Sequence, residues 1–155
     1  MNNQLLMRIL LLYAIVFLST VLLPLHAQEA SILDDKALEK EKEYTSLDEA
    51  LKNPQKVYKL DLSHSGLVEF PLEILKLPNL QRLNLSHNGL ESIPPSIAQL
   101  TKLQHLNLST NGLKKLPAEI AGLKHLKSLD ISQNQFVASE LNRVKSTLPH
   151  TAIID

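Results

Sequence analysis

His64 and His87 are the pair in this 155-residue chain whose type and spacing come nearest to chemistry. They stand 23 residues apart in matching surroundings, Leu-Ser-His-Ser-Gly and Leu-Ser-His-Asn-Gly. Carried on successive strands in one column, two imidazoles would lie about 5 Å apart. At that distance they could share Zn²⁺ or Cu²⁺, or repel each other once protonated. Thr110 takes the third place in the column and His105 falls in another, so no third ligand is evident. No metal site is expected.

Other chemistry is excluded more directly. The chain has no Gly-rich phosphate loop, no G-x-S-x-G elbow and no H-E-x-x-H pair. With no cysteine it has no thiol nucleophile, thiolate zinc site, disulfide or lipidated cysteine. Neither an enzyme nor a cofactor is expected. Sixteen basic residues balance 16 acidic ones at a pI near 7.0, which gives no electrostatic case for nucleic acid or acidic lipid. Hydrophobics reach 44% while aromatics reach only 4%. The excess is leucine, 34 of 155 residues, roughly double an ordinary share.

The leucines recur with a period of 23 and no gap. Val57-Tyr58-Lys59-Leu60-Asp61-Leu62-Ser63-His64-Ser65-Gly66-Leu67 aligns with Leu80-Gln81-Arg82-Leu83-Asn84-Leu85-Ser86-His87-Asn88-Gly89-Leu90. Leu103-Gln104-His105-Leu106-Asn107-Leu108-Ser109-Thr110-Asn111-Gly112-Leu113 follows, and Leu126-Lys127-Ser128-Leu129-Asp130-Ile131-Ser132-Gln133-Asn134-Gln135-Phe136 opens a fourth row. The second halves also match: Phe70-Pro71 with Ile74 and Leu77, Ile93-Pro94 with Ile97 and Leu100, Leu116-Pro117 with Ile120 and Leu123. Alternation in Leu60-Asp61-Leu62 predicts a strand with one face buried. Asn-Gly or Ser-Gly is then expected to turn the chain, glycine supplying a positive φ. The proline that follows lets the return arm leave without a ladder donor. One repeat cannot bury enough apolar surface to fold alone, so neighbours must stack and share a core.

This pattern resembles the leucine-rich repeat family, in its 23-residue class with an L-P-x-x-I second half. The missing cysteine-flanked ends of animal extracellular members make a small, secreted, bacterial-type member the expectation. The resemblance implies an α/β repeat solenoid, a short arc with a parallel β-sheet on its concave face and helical caps at both ends. It implies a structural ladder for Asn88, Asn111 and Asn134, whose amides would bond the backbone of adjacent turns; Ser65 interrupts that ladder in the first repeat. Some bacterial members carry a ubiquitin-ligase domain, but this chain has no cysteine for one.

The flanks divide as follows. Arg8 is the only charge before Glu29, Ile9 to Leu25 is a 17-residue uncharged stretch, and small Ala27 follows Pro24-Leu25-His26. These features predict a secretory signal peptide over 1–27. The alternative is an uncleaved anchor, for which 17 residues is the lower limit of a span. Either way the remainder is expected outside the cytoplasm, secreted, periplasmic or at the cell surface. Residues 28–45 are mixed in charge and are expected to form a mobile tether or frayed helix. Ser46-Leu47-Asp48-Glu49 is a capping box, so 46–56 is assigned to an N-terminal cap helix. The repeats occupy 57–79, 80–102, 103–125 and, degenerate, 126–136. Beyond them 137–155 is assigned to a C-terminal cap, with Leu141, Val144 and Leu148 at helical spacing, Pro149 as a stop and Thr151 to Ile154 as a final strand.

In this family the residues flanking the strand leucines form the partner-binding concave face. Here that face would hold Tyr58, Lys59, Asp61, Ser63 and His64, then Gln81, Arg82, Asn84, Ser86 and His87. It continues with Gln104, His105, Asn107, Ser109 and Thr110, then Lys127, Ser128, Asp130, Ser132 and Gln133. Tyr58 and Arg82 are its only residues of the types that dominate protein hot spots. The expected function is protein–protein recognition by an exported module. The alternatives are a carbohydrate or cell-wall binder using the Asn, Asp and Ser columns, and a pure scaffold. The expected partner is a protein, or else a glycan, with no nucleic acid. Membrane contact is expected only through the N-terminal segment if it stays uncleaved.

Overall fold

The computed structural model of the chain describes residues 32–155. The expected signal peptide, 1–27, lies outside the described residues. Six short parallel strands follow one another in sequence order: β1 (Glu43–Tyr44), β2 (Lys59–Asp61), β3 (Arg82–Asn84), β4 (His105–Asn107), β5 (Ser128–Asp130) and β6 (Ala152–Ile154). The registers β2 to β5 follow the sequence period: Leu60 opposes Leu83, Leu83 opposes Leu106 and Leu106 opposes Leu129. These leucines all point into one continuous core with Leu62, Leu85, Leu108 and Ile131. Each fully buried leucine contributes about 1.5–3 kcal/mol by leaving water.

The return arms are 3₁₀ segments, Leu72–Lys76, Pro95–Gln99 and Ala118–Gly122. Each follows the proline of its L-P-x-x-I half, at Pro71, Pro94 or Pro117, which holds an extended backbone at the N-cap. Ile74, Ile97 and Ile120 drop from these segments into the core.

The turn after each strand differs from the expected one. Among the glycines only Gly66 has a positive φ. The left-handed residues are instead His64, His87, Thr110 and Gln133, all within a degree of φ 54. They occupy one repeat position, so the strain belongs to the turn rather than to any one side chain. Gly89 and Gly112 serve a different purpose: each donates its N–H to a carbonyl of the preceding repeat, Leu67 at 2.7 Å and Leu90 at 2.9 Å. A Cβ at either would sit 3.4 Å from that same carbonyl oxygen.

The asparagine after each left-handed residue bonds the repeats together. Asn111 Nδ2 donates to the carbonyls of Leu108, Ser109 and Leu85, and its Oδ1 accepts from the Leu90 N–H. Asn88 and Asn134 repeat the arrangement one step to either side. In the first repeat Ser65 gives its N–H to Asn88 Oδ1 at 3.0 Å and its hydroxyl to the Ser63 carbonyl at 3.4 Å.

Two flanking segments depart from expectation. Much of the segment expected to be a mobile tether or frayed helix is ordered: Asp35–Lys40 form helix α1, capped by the Asp34 carboxylate on the Ala37 N–H at 2.7 Å, and Glu43–Tyr44 form β1. Tyr44 takes the place opposite Leu60 and packs on the core. Helix α2 (Leu47–Ala50) is a single turn, capped by Ser46 Oγ on the Glu49 N–H. The Glu49 carboxylate accepts from Lys42 Nζ at 2.6 Å, so that much of the capping box is spent on an ion pair. At the other end, helix α3 (Ala138–Thr147) buries Val144. Its Glu140 carboxylate accepts the Leu116 N–H while Arg143 donates to the Leu116 carbonyl, meeting the backbone groups of the preceding coil. Arg143, and then the Leu116 N–H, hold the Glu140 carboxyl below its ordinary value despite partial burial.

Candidate functional site

Because side chains alternate along a strand, the residues on either side of each core leucine stand on the opposite, exposed face of the sheet. The first column is Lys59, Arg82, His105 and Ser128, and the second is Asp61, Asn84, Asn107 and Asp130. The two columns have different employment.

The Asp and Asn column is committed to its own turns. Asp61, Asn84, Asn107 and Asp130 each accept, through Oδ1, the N–H two residues on, at Ser63, Ser86, Ser109 and Ser132. Asn84 also donates to Asp61 Oδ2 at 3.1 Å. Burial would raise the Asp61 carboxyl, but these hydrogen bonds from Ser63 and Asn84 bring it below its ordinary value. The serines that follow are partly consumed as well. Ser109 and Ser132 hydroxyls donate to Asn107 and Asp130, and Ser86 is buried.

The residues just before the strands stand two positions ahead of the core leucines and share their side of the sheet by alternation. Gln81 and Gln104 are 0% exposed, and the Gln104 amide donates to Gln81 Oε1 at 2.7 Å. They form a buried polar pair and not a surface. Lys59 is only 6% exposed. Tyr58 is half-buried, and Lys127 is exposed.

Helix α1 lies over the cationic column. Asp35 and Glu39 are one turn apart and face the sheet together. Asp35 Oδ1 sits 2.7 Å from Lys127 Nζ and 3.3 Å from His105 Nε2. Glu39 Oε1 meets Arg82 Nη1 at 2.7 Å, and its Oε2 lies 3.8 Å from Lys59 Nζ, which also donates to the Glu39 carbonyl. His105 Nδ1 pairs with Ser128 Oγ at 2.8 Å. Both carboxyls are held below their ordinary values, Asp35 chiefly by its bond to Lys127 and then His105, Glu39 chiefly by Arg82. Leu38, between them, is fully buried yet stands outside the main core cluster. The helix therefore runs from the β5 side back toward the β2 edge, where β1 joins the sheet.

Beside it an open depression of about 280 Å³ is lined by Glu43, Asp61, Arg82, Asn107 and Asp130 among others. Sequence reasoning allows a frayed helix here but misses its docking on the sheet: nothing local marks Asp35 as the partner of a lysine 92 residues away.

His64 and His87 do meet. Their rings stack with centroids 4.2 Å apart and planes 12° from parallel, on the left-handed turn beyond the strands. Among the described residues no group of three or more His, Asp or Glu is placed to hold a metal ion, and no helix is long and apolar enough to cross a membrane.

Comparison with known proteins agrees with the repeat geometry. The leucine rich repeat model matches residues 55–113 and 78–136. The structure of a leucine-rich repeat protein of Leptospira interrogans is similar at 38% identity and a TM-score of 0.65, covering 72% of this chain and 28% of that one. An internalin of Listeria monocytogenes matches at 19% identity and a TM-score of 0.47, over 64% of this chain and 26% of that one. The chain thus spans little more than a quarter of the length of either protein. No protein of curated function matches it significantly.

Proposed function

The chain belongs to the leucine-rich repeat family, and from that premise we propose that it is an exported, non-enzymatic protein-interaction module that binds its partner on the exposed face of the sheet. Members of this family are commonly protein–protein interaction modules. The observation that carries the reading is the docking of α1. A polypeptide segment already lies on this face, held by ion pairs to Arg82, His105 and Lys127 and by the Lys59 ammonium on the Glu39 carbonyl. A surface that accepts one helix of its own chain has the shape and charge to accept a foreign one. The Asn, Asp and Ser columns that a glycan would use are largely spent on their own turns.

Export is the second part of the proposal. It is supported by the charge pattern of the N-terminal segment, with Arg8 ahead of the uncharged run from Ile9 to Leu25. N-terminal sequencing of protein from its native host is expected to begin at Gln28; an intact Met1 on a soluble cytoplasmic form would contradict it.

The binding surface is tested by substitution once the partner has been captured. Tyr58→Ala is expected to weaken partner affinity about thirtyfold, a hot-spot loss of about 2 kcal/mol, with an unchanged melting curve. Lys114→Ala with Lys115→Ala, on the turn leading away from the sheet face, is expected to leave affinity unchanged. The opposite pattern would move the partner to the other surface.

A further inference from the structure

We propose that helix α1 is a built-in occupant of the recognition surface, and that the partner it stands in for is an acidic helix. That helix would carry two carboxylates one turn apart with a leucine beside the second, in the manner of Asp35, Leu38 and Glu39. The inference rests on the sheet-face reading above and adds the chemistry of the partner and the means by which the surface is closed.

Three observations carry it. The first is placement. Lys59, Arg82 and His105 stand at one register position on three adjacent strands, and Lys127, one residue before Ser128 at that position, reaches the same helix from the fourth coil. Side chains i and i+4 of a helix are about 6 Å apart along its axis, while neighbouring strands are about 4.8 Å apart. A helix laid across the strands can therefore set consecutive carboxylates on separate repeats. Asp35 and Glu39 do so, Asp35 on the third and fourth repeats and Glu39 on the first and second.

The second is charge. The whole chain is neutral, so this row is a local concentration of cations and not a consequence of a basic protein. Two carboxylates face Lys59, Arg82, Lys127 and a histidine. Glu43, Asp61 and Asp130 line the depression beside it, so the face receives carboxylates along this row and not elsewhere.

The third is the grip. Asp35 and Glu39 remain 61% and 60% exposed in their ion pairs. Exposed pairs of this kind hold weakly and are screened by salt. Leu38 is the single apolar anchor of the helix. The contact is strong enough to occupy the face at rest and weak enough to be exchanged for a better ligand.

The test uses a fluorescent peptide of residues 32–42 and the full chain. In Asp35→Lys with Glu39→Lys, charge reversal releases α1 and opens the row. The peptide is expected to bind this variant at least tenfold more tightly than the wild type, whose own helix competes. The milder Asp35→Asn with Glu39→Gln is expected to give an intermediate affinity, and it serves if the charge reversal disturbs folding. Adding Arg82→Glu and Lys127→Glu to the released chain is expected to abolish binding. Equal affinity for wild type and released chain, binding that survives loss of Arg82 and Lys127, or binding to neither chain would each overturn the inference. Absent peptide binding together with a Tyr58-dependent partner would overturn this inference alone. A partner that depends on Lys114 and Lys115 would overturn the sheet-face reading instead.

Discussion

Glu39 Oε1 lies 2.7 Å from Arg82 Nη1 across 43 residues of sequence, and this pair ties the helix before the repeats to the exposed face of the sheet. The residue best suited by type to grip a partner is engaged by the chain itself. Asp35 makes the same kind of tie two repeats further along, to Lys127 and His105.

The tie should depend on pH. A carboxyl whose native value is depressed stabilises the folded contact above its ordinary value, and loses that contribution as pH falls through the native one. Asp35 and Glu39 are both depressed from ordinary values of 3.8 and 4.5, by Lys127 and Arg82 respectively. Docking of α1 should be complete at neutral pH and should weaken as pH falls below the ordinary carboxyl values. Amide exchange at Ala37 to Glu41 reads this directly: protection should fall at low pH while that of Leu106 persists. Equal protection of both segments at the two pH values would contradict it.

The repeat register makes its own prediction. Leu106 is buried at the centre of β4, with Leu83 and Leu129 opposite it on the neighbouring strands. Leu106→Ala should cost about 2–5 kcal/mol in a denaturant melt, the range for a buried leucine whose cavity cannot collapse. A cost below about 1 kcal/mol would contradict the packing described here.

Strain at the turn gives a prediction of opposite sign. Thr110 is β-branched and holds φ at 54°, where such a side chain is a genuine outlier. Its hydroxyl donates to Gln133 Oε1 at 2.9 Å, an exposed bond of modest worth. Thr110→Asn places a residue that tolerates the left-handed region, and should stabilise the protein by about 1 kcal/mol. A thermal melt that drops instead would show that the turn is not strained at this position.

What the sequence made legible, and what it hid, follows from the range of each interaction. The 23-residue period is visible because every repeat must present the same leucines to one core, and the registers of β2 to β5 follow it residue for residue. β1 escaped notice because it has two residues and Tyr44 stands only 16 positions before Leu60, off the period. The docking of α1 escaped because its partners are distant, from Glu39 to Arg82 and from Asp35 to Lys127, and its own mixed charge reads as a solvated segment. The turn was misplaced for a different reason. Glycine advertises a positive φ, yet the backbone takes it at His64 and His87, while Gly89 is needed for the close approach of Leu67. At the site, alternation placed Arg82 and His105 correctly on the exposed face. The family-based face failed for Gln81 and Gln104, which alternation places with Leu83 and Leu106 on the buried side, where they bond each other.

The claim that the sheet face is the recognition surface is tested most directly by site-specific photo-cross-linking in the native host. A benzophenone amino acid is placed in turn at Tyr58, at Lys127 and at Lys115. Tyr58 is half-buried just before β2, Lys127 meets Asp35 on the sheet face, and Lys115 lies on the turn leading away from it. The account predicts one partner adduct from Tyr58 and from Lys127 and none from Lys115. An adduct from Lys115 with none from the other two would contradict it.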